Sequence, residues 1–551
     1  MKVYVKNLKE YVSVTGGETL SELLKRIKHR LDFEPICAHV NNKSEALSYP
    51  VFGPKQVEFL PRSSSSGRRV YIRSLCMMLY RAVDMCYPGI RLNICHSVSG
   101  GYFCRIYGVE VTQEVVDRLK ATMRELVERD LPFERYEKLT EDVKEIFRGQ
   151  GLTDKVRLLE TIHDLYTVYY SLDGLCDSYY GALAPSTGAL AQFDLRTHHD
   201  GFLLLGFDPV NHDVPAQPVT QEKMFKAFTD YVDFNRVVGV KNVGELNKAT
   251  RLDRANDLIN VAEALHDKKI ASIADEITRR YNEGGARVVL IAGPSSSGKT
   301  TFTKRLAIYL MTNLLSPRMI SLDDYFVDRE RTPRDETGDY DYESLYALDL
   351  ELFNLHLRQL IEGETVSLPT YNFELGTRQY RGNTLRLDDN SILLIEGIHG
   401  LNPALTAQVA DEMKYRVYVS ALTTLAIDDH NWVPTTDNRL LRRIIRDHKY
   451  RGTSPLETIR RWPSVRRGEE KWIFPYQENA DSTFNSSLIF ELGVMKPYGE
   501  DLLRNFPRDT PEYAEAYRLS KFLSYFVPIS EKDVPPTSLM REFLGGSSFH
   551  Y

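Results

Sequence analysis

No uninterrupted apolar stretch in this chain approaches the roughly 20 residues that a bilayer-spanning helix needs. The opening run MKVYVKNLKEYVSV alternates like a strand and lacks the apolar centre of a secretion signal. The expected location is therefore the cytoplasm, with no membrane partner. Cysteine is scarce: Cys37, Cys76, Cys86, Cys95, Cys104 and Cys176 are the only six, all in the first third and none in a C-x-x-C pair. That pattern indicates neither a zinc knuckle nor a disulfide framework, and buried reduced thiols are expected. Nor does one sign of charge dominate, because 70 basic against 76 acidic residues give a net charge of −6. No global basic field argues for nucleic acid, although local patches remain compatible with it.

What is present is the composition of an ordinary soluble protein, 42% hydrophobic and 26% charged. At 551 residues the chain exceeds one core and suggests about three domains. Residues 1–60 alternate between strand patterns (Val3-Tyr-Val-Lys, Cys37-Ala-His-Val, Gln56-Val-Glu-Phe-Leu) and one helical run from Glu18, the pattern of a β-grasp unit. Arg62 to Arg69 is serine-rich, contains no apolar residue and reads as a linker. Residues 70–240 are mixed α+β, with a helix over Ile72–Met85, a glycine hairpin at Ser99-Gly-Gly and a helix over Thr112–Arg129. Leu252–Asn282 reads as a bridging helix. Residues 285–495 alternate strand and helix, with a last apolar strand near Ser487–Leu492, which predicts a parallel sheet carrying its ligand at the strand C-termini. The tail after about 505 is proline-containing and is expected to be partly loose.

Gly293-Pro294-Ser295-Ser296-Ser297-Gly298-Lys299-Thr300 follows the apolar run Arg287–Ala292 and precedes a helical pattern from Thr301. Strand, glycine-bounded loop and helix with G-x-x-x-x-G-K-[ST] spacing make a phosphate-binding loop. The backbone N–H groups and helix start face the phosphates, Lys299 adds a full charge, and Thr300 offers a hydroxyl to Mg²⁺. The expected donor is ATP (or GTP), with Thr301 beside it at the helix start.

Four further segments fall where phosphoryl transfer to a small alcohol needs them. Met319-Ile-Ser-Leu-Asp-Asp-Tyr-Phe326 ends a strand in two acids. An acceptor hydroxyl needs a carboxylate to take its proton, and Asp323 is the first choice, Asp324 the second. Ser391–Glu396 is an apolar strand ending in an acid suited to hold Mg²⁺ or its water shell. Arg443, Arg446 and Arg451 lie on an arginine-rich helix ending at Gly452, and cations on a mobile flap can close over a triphosphate. Thr337–Glu343 and Leu368–Arg378 mix tyrosines with acids, as a pocket for a ring and sugar hydroxyls would.

In this order, these segments resemble the uridine kinase family, relatives of phosphoribulokinase, over about 285–490. The resemblance implies an α/β P-loop kinase acting on a nucleoside 5′-hydroxyl, with Asp323 as catalytic base. It also implies Asp341 at the ribose, Tyr371 and Arg378 in the nucleoside pocket, and Arg443, Arg446 and Arg451 as lid arginines. One departure stands out: the family's base-reading histidine is Gly376 here, and its second pocket position is Asn372. Kinase chemistry survives that change, but uridine specificity does not follow from it. The same chemistry on another sugar or sugar phosphate stays open.

Residues 1–60 are similar to the TGS domain of threonyl-tRNA synthetase, and residues 70–240 to the editing-type domain it shares with alanyl-tRNA synthetase. Ser99-Gly-Gly-Tyr-Phe, Arg129-Asp-Leu-Pro-Phe-Glu-Arg and Cys176 to Gly188 carry the likeness. Of that family's four ligand-type positions only Cys176 is kept; Arg73, Met77 and Tyr180 fill the others. The implied module is non-catalytic, with RNA contact, regulation or homo-oligomer formation as its roles. An RNA-binding protein with an ATP switch is the alternative from another class. His96 is expected to be a hydrogen-bonded structural residue.

Overall fold

The computed structural model describes residues 1–550. Lys2–Val5, Glu10–Ser13, Pro35–Val40, Lys43–Glu45 and Gln56–Pro61 form one five-stranded sheet. Alternate residues Val3, Val5, Val57 and Phe59 share a core with Leu20, Leu23 and Ile27 of the helix Leu20–Ile27. Thr19 and Glu22 close a capping box at its start. The serine-rich run expected to be a linker is instead the start of a long helix, Ser65–Cys86. Ser64 Oγ accepts from Gly67 N at 3.0 Å, so the polar run supplies the N-cap. Gly67 lets the helix abut the preceding strand, because a Cβ there would meet Pro61 O at 2.0 Å.

That helix is the axis of the middle region. It shares a core with helix Gln113–Arg129 and with a four-stranded antiparallel sheet in the order Asp194–His198, Gly201–Leu205, Gly101–Tyr107, Arg91–Val98. Cys37, Cys76 and Cys104 are buried free thiols, whereas Cys86, Cys95 and Cys176 are partly exposed. His96 is stacked on Phe228, ring centroids 3.9 Å apart, and neither ring nitrogen has a hydrogen-bond partner among the described residues. The expected hydrogen-bonded histidine is therefore corrected to an aromatic filler, held neutral because burial lowers its pKa to about 3.

Helix Ala255–Asn282 leads into a parallel sheet of β1 (Val288–Ala292), β2 (Ser316–Ser321), β3 (Ser391–Glu396), β4 (Lys414–Ser420) and β5 (Ser482–Asn485). Their order is β2-β3-β1-β4-β5. β1 is buried along its whole length and β3 over all but its final glutamate, which explains why both read as unbroken apolar runs. Around the sheet lie α1 (Lys299–Thr312), α2 (Leu350–Ile361), α3 (Thr435–Arg451), α4 (Pro455–Trp472), α5 (Glu491–Arg504) and α6 (Tyr513–Ser524). The strand expected at 487–492 lies earlier, at β5. Leu488 and Phe490 are buried at the entry to α5, where an apolar run cannot distinguish strand from helix. The tail is not loose either: α6 packs into the α3 and α5 core, and Leu539, Met540, Phe543 and Leu544 are buried. Among the described residues no helix is long and apolar enough to cross a membrane.

Between β4 and α3 a hairpin (Ala426–Asp428, Asn431–Trp432) projects into the middle region. Trp432 packs on Tyr102, centroids 4.4 Å apart, and Ile94 N donates to Asp429 O at 2.7 Å. At its tip lies a fully buried ionic cluster. Lys155 Nζ is 2.8 Å from Asp177 and 2.9 Å from Asp428, and His430 Nδ1 is 2.8 Å from Asp177. Burial alone would lower the His430 pKa, yet Asp177 outweighs it, with Asp428 in support and Lys155 opposing, and holds it above 6.5. A histidine whose pKa is raised by folding stabilises fully below its unfolded value and loses that contribution as pH rises through the folded one. The urea midpoint is therefore expected to fall more steeply above pH 6.5 in the wild type than in His430→Gln; parallel pH profiles would show that the histidine does not carry charge here.

Candidate active site

The loop after β1 is shaped by close approach. A Cβ at Gly293 would meet Val419 O at 1.9 Å, and Gly298 turns into α1 with φ +83°. Lys299 Nζ donates to Pro294 O at 3.2 Å, and burial lowers its pKa while Glu396 and Asp323 oppose that shift. Glu396 closes β3 in register with Ser321 of β2 and Ile291 of β1. Its Oε1 accepts from Thr300 Oγ1 at 3.3 Å and from Ser321 Oγ at 3.2 Å. Burial, with Asp323 nearby, pushes the Glu396 carboxyl up to about 7. One carboxylate and two hydroxyls, all oxygen donors, fit Mg²⁺, which completes its shell with phosphates and water.

The two acids after β2 have different surroundings. Asp324 is half-buried and accepts from Tyr371 N at 3.2 Å, tying the β2 turn to the strand Thr370–Asn372. Asp323 is exposed at the sheet edge, close enough in charge to influence Lys299, Glu396 and Glu343. Gly397 permits this approach, since its Cβ would meet Leu322 Cβ at 2.5 Å. Asp341 lies beside Gly468 of α4, its Oδ1 3.7 Å from where a Cβ would stand. Tyr371 is buried against Phe326 and Phe373. Arg378 is committed to Asp349 at 2.8 Å, and Asp349 also caps α2. Gly376 has φ +69°, and a Cβ there would meet the Arg329 guanidinium at 2.8 Å. Backbone and neighbour alike therefore disfavour a side chain at that position, and Arg329 fills the space.

α3 differs from the free flap expected of it. Arg443 Nη1 does reach the loop, donating to Ser295 Oγ at 2.9 Å. Arg446 and Arg451 instead converge on Asp447, at 2.8 and 3.7 Å. Burial alone would raise the Asp447 carboxyl, but Arg446, Arg443 and Arg451 hold it below its ordinary range. The first two turns of α3 are core. Arg439 is buried, donates to Ser295 O at 2.9 Å and pairs with Glu469, whose Oε1 accepts from Ser295 N at 3.2 Å. Arg442 is equally buried and joins Glu491, Ser486 O and Ser296 O. These arginines, their glutamates and Arg329 are not among the residues that the sequence motifs mark. The helical spacing of Arg439, Arg442, Arg443 and Arg446 is the signal the sequence does carry, since all four fall on one side of a helix. Glu343 also joins the site: burial, against the opposing pull of Arg443, pushes its carboxyl up to about 7.

In the middle region, Arg73 is buried and donates to Ala182 O at 3.0 and 3.2 Å. A Cβ at Gly181 would strike its guanidinium at 2.6 Å, and Met77 is buried beside it on the same helix. Burial raises the Cys176 thiol above its ordinary value, so it gains no activation.

A family model described as the phosphoribulokinase/uridine kinase family matches residues 288–488. A uridine kinase of Staphylococcus epidermidis is 30% identical over 197 residues, 35% of this chain and 84% of the relative. A uridine kinase of Bacillus pumilus is 31% identical over 195 residues, 35% of this chain and 83% of the relative. A threonine–tRNA ligase of Rubrobacter xylanophilus is 30% identical over 190 residues, 34% of this chain but only 29% of the ligase's own length.

Proposed function

Because the chain belongs to the phosphoribulokinase/uridine kinase family, we propose that it transfers the γ-phosphoryl group of ATP to the 5′-hydroxyl of a nucleoside. The observation that carries this reading is the meeting of Lys299, Thr300, Ser321 and Glu396 with the exposed carboxylate of Asp323 at the ends of three parallel strands. Asp323 accepts the proton of the acceptor hydroxyl; the new O–P bond forms as the bond from the γ-phosphorus to the β,γ-bridging oxygen breaks, and ADP leaves. Lys299 and the loop N–H groups hold the phosphates, and Arg443 stands over Ser295 to balance charge on the moving group. Thr300 and Glu396 would hold Mg²⁺, which supplies neutralisation of phosphate charge when bound. Arg446 and Arg451 serve from the end of α3, and Asp341, Tyr371 and Arg378 line the acceptor side.

A second acceptor class is favoured by Arg329 at Gly376: a guanidinium there suits a sugar or sugar phosphate as well as a base edge. For the first 240 residues we propose a TGS-like unit and a non-catalytic editing-like unit, with RNA contact as their role. The support is the similarity to the threonine–tRNA ligase, and Arg73 and Met77 buried at positions where the resemblance puts ligand histidines. The deciding experiment is a screen of nucleosides, sugars and sugar phosphates with γ-labelled ATP. Label in a nucleoside 5′-phosphate is the expected result. ATP hydrolysis that no acceptor accelerates would sink the kinase reading in favour of an ATP switch.

A further inference from the structure

The helix start of the phosphate loop is already engaged by the C-terminal segment. Glu542, on the short helix Arg541–Leu544, accepts from Thr301 Oγ1 at 2.6 Å and from Thr301 N at 3.4 Å. Thr301 N belongs to the first turn of α1, whose N–H groups have no partner within the helix and are the natural donors to a phosphate. Around this carboxylate the segment is tied down on both sides. Leu539 sits against Gly298, its Cδ2 2.5 Å from where a Cβ would be. Phe543 lies under the Arg442 guanidinium, 5.0 Å from ring centroid to charge centre. Lys449 of α3 donates to Leu544 O, and Lys304 of α1 donates to His550 O at 2.5 Å. The segment therefore straps α1 to α3 across the loop.

Placement relative to the two ends of a triphosphate gives this strap a meaning. The hydroxyls at Glu396, together with Asp323, mark the side where the transferred phosphoryl group and the acceptor meet. Thr301 and Gly298 form the helix start that faces a nucleotide's phosphates, and Glu542 and Leu539 already sit against it. A carboxylate and a phosphate oxygen cannot share one pair of donors, and two anions side by side repel. We propose that the C-terminal strap is an intramolecular competitor for the phosphate donor, in which Glu542 occupies donors of the loop that a nucleotide phosphate takes over. This rests on the donor-site reading given above and adds to it a residue that sets nucleotide affinity. The negative charge of Glu542 also reaches Lys299 and Glu396, so its withdrawal changes the field at the phosphate-binding side.

The test uses the full-length protein, with Glu542→Gln and Glu542→Ala, measuring ATP binding by calorimetry without acceptor and steady-state constants with it. Both variants are expected to bind ATP more tightly, with KM for ATP about 5–10-fold lower and acceptor KM unchanged. Hydrogen exchange supplies a readout that mere structural support would not move: saturating ATP should speed exchange over 539–546 in the wild type. Unchanged or weaker ATP binding in both variants overturns the proposal, as does ATP-induced protection of 539–546, which would make the strap a wall of the nucleotide pocket. If neither wild type nor variants bind ATP, the donor-site reading itself fails and the competitor falls with it.

Discussion

Asp323→Ala is expected to lower kcat by about 10²–10⁴-fold, the range for loss of a general base, while ATP binding measured without acceptor stays close to wild type. The basis is position. Asp323 lies in the turn Leu322–Tyr325 that follows β2, exposed and close enough to influence Lys299 and Glu396. Removing it takes away a proton acceptor that acts only as the O–P bond forms, so kcat and kcat/KM should fall together. Asp324→Ala provides the contrast. That side chain accepts from Tyr371 N and ties down the strand Thr370–Asn372, so its loss should raise acceptor KM more than it lowers kcat. Rapid-quench single turnovers separate the two. If Asp323→Ala turns over at the wild-type rate, the base lies elsewhere, with Glu343, whose carboxyl is pushed up to about 7, next to be tested.

What could be read from sequence and what could not divide along a physical line. The phosphate loop, the acid pair after β2 and the terminal glutamate of β3 are local: each is a strand, its last residues and the turn that follows. Each could be found within about ten residues because the backbone itself aims the chemistry at the sheet's C-terminal edge. Partners that meet across the fold left no such trace. Arg439 finds Glu469 on the next helix, and Thr301 finds Glu542 across 241 positions. Gly376 is legible as a departure, but its contact with Arg329 is not, since nothing in either residue's sequence neighbourhood announces the other. The errors at Arg62–Arg69 and at the tail share one source. Serine-rich and proline-containing runs suggest solvent exposure, whereas here Ser64 caps a helix and the tail buries Leu539, Met540, Phe543 and Leu544.

Lys155→Met is expected to cost about 3–5 kcal/mol of unfolding free energy, the range for leaving a buried ionic partner uncompensated. Lys155 is 1% exposed and is the cation between Asp177 and Asp428, themselves buried on opposite sides of the junction between the middle region and the kinase hairpin. Burial already raises the Asp428 pKa despite Lys155, so without the lysine that carboxyl must take up a proton or remain charged in an apolar setting. Adding Asp428→Asn to Lys155→Met should recover part of the loss, because the desolvated charge goes with its partner; urea titrations of the two variants measure both effects. Equal stability of wild type and Lys155→Met would show that the cluster is loosely held. The expected result bears on how the first 240 residues can be studied. Deleting them removes Lys155, Asp177 and Asp154 together, leaving Asp428 without its cation and the Asp429 N–H without the Asp154 carboxylate that now accepts from it at 2.6 Å. A truncated chain would then carry an altered hairpin, so a loss of activity would not by itself assign a catalytic part to the missing residues. Point substitutions that keep the junction intact, such as changes on the surface of residues 1–60, are therefore the sound way to ask what the N-terminal half contributes.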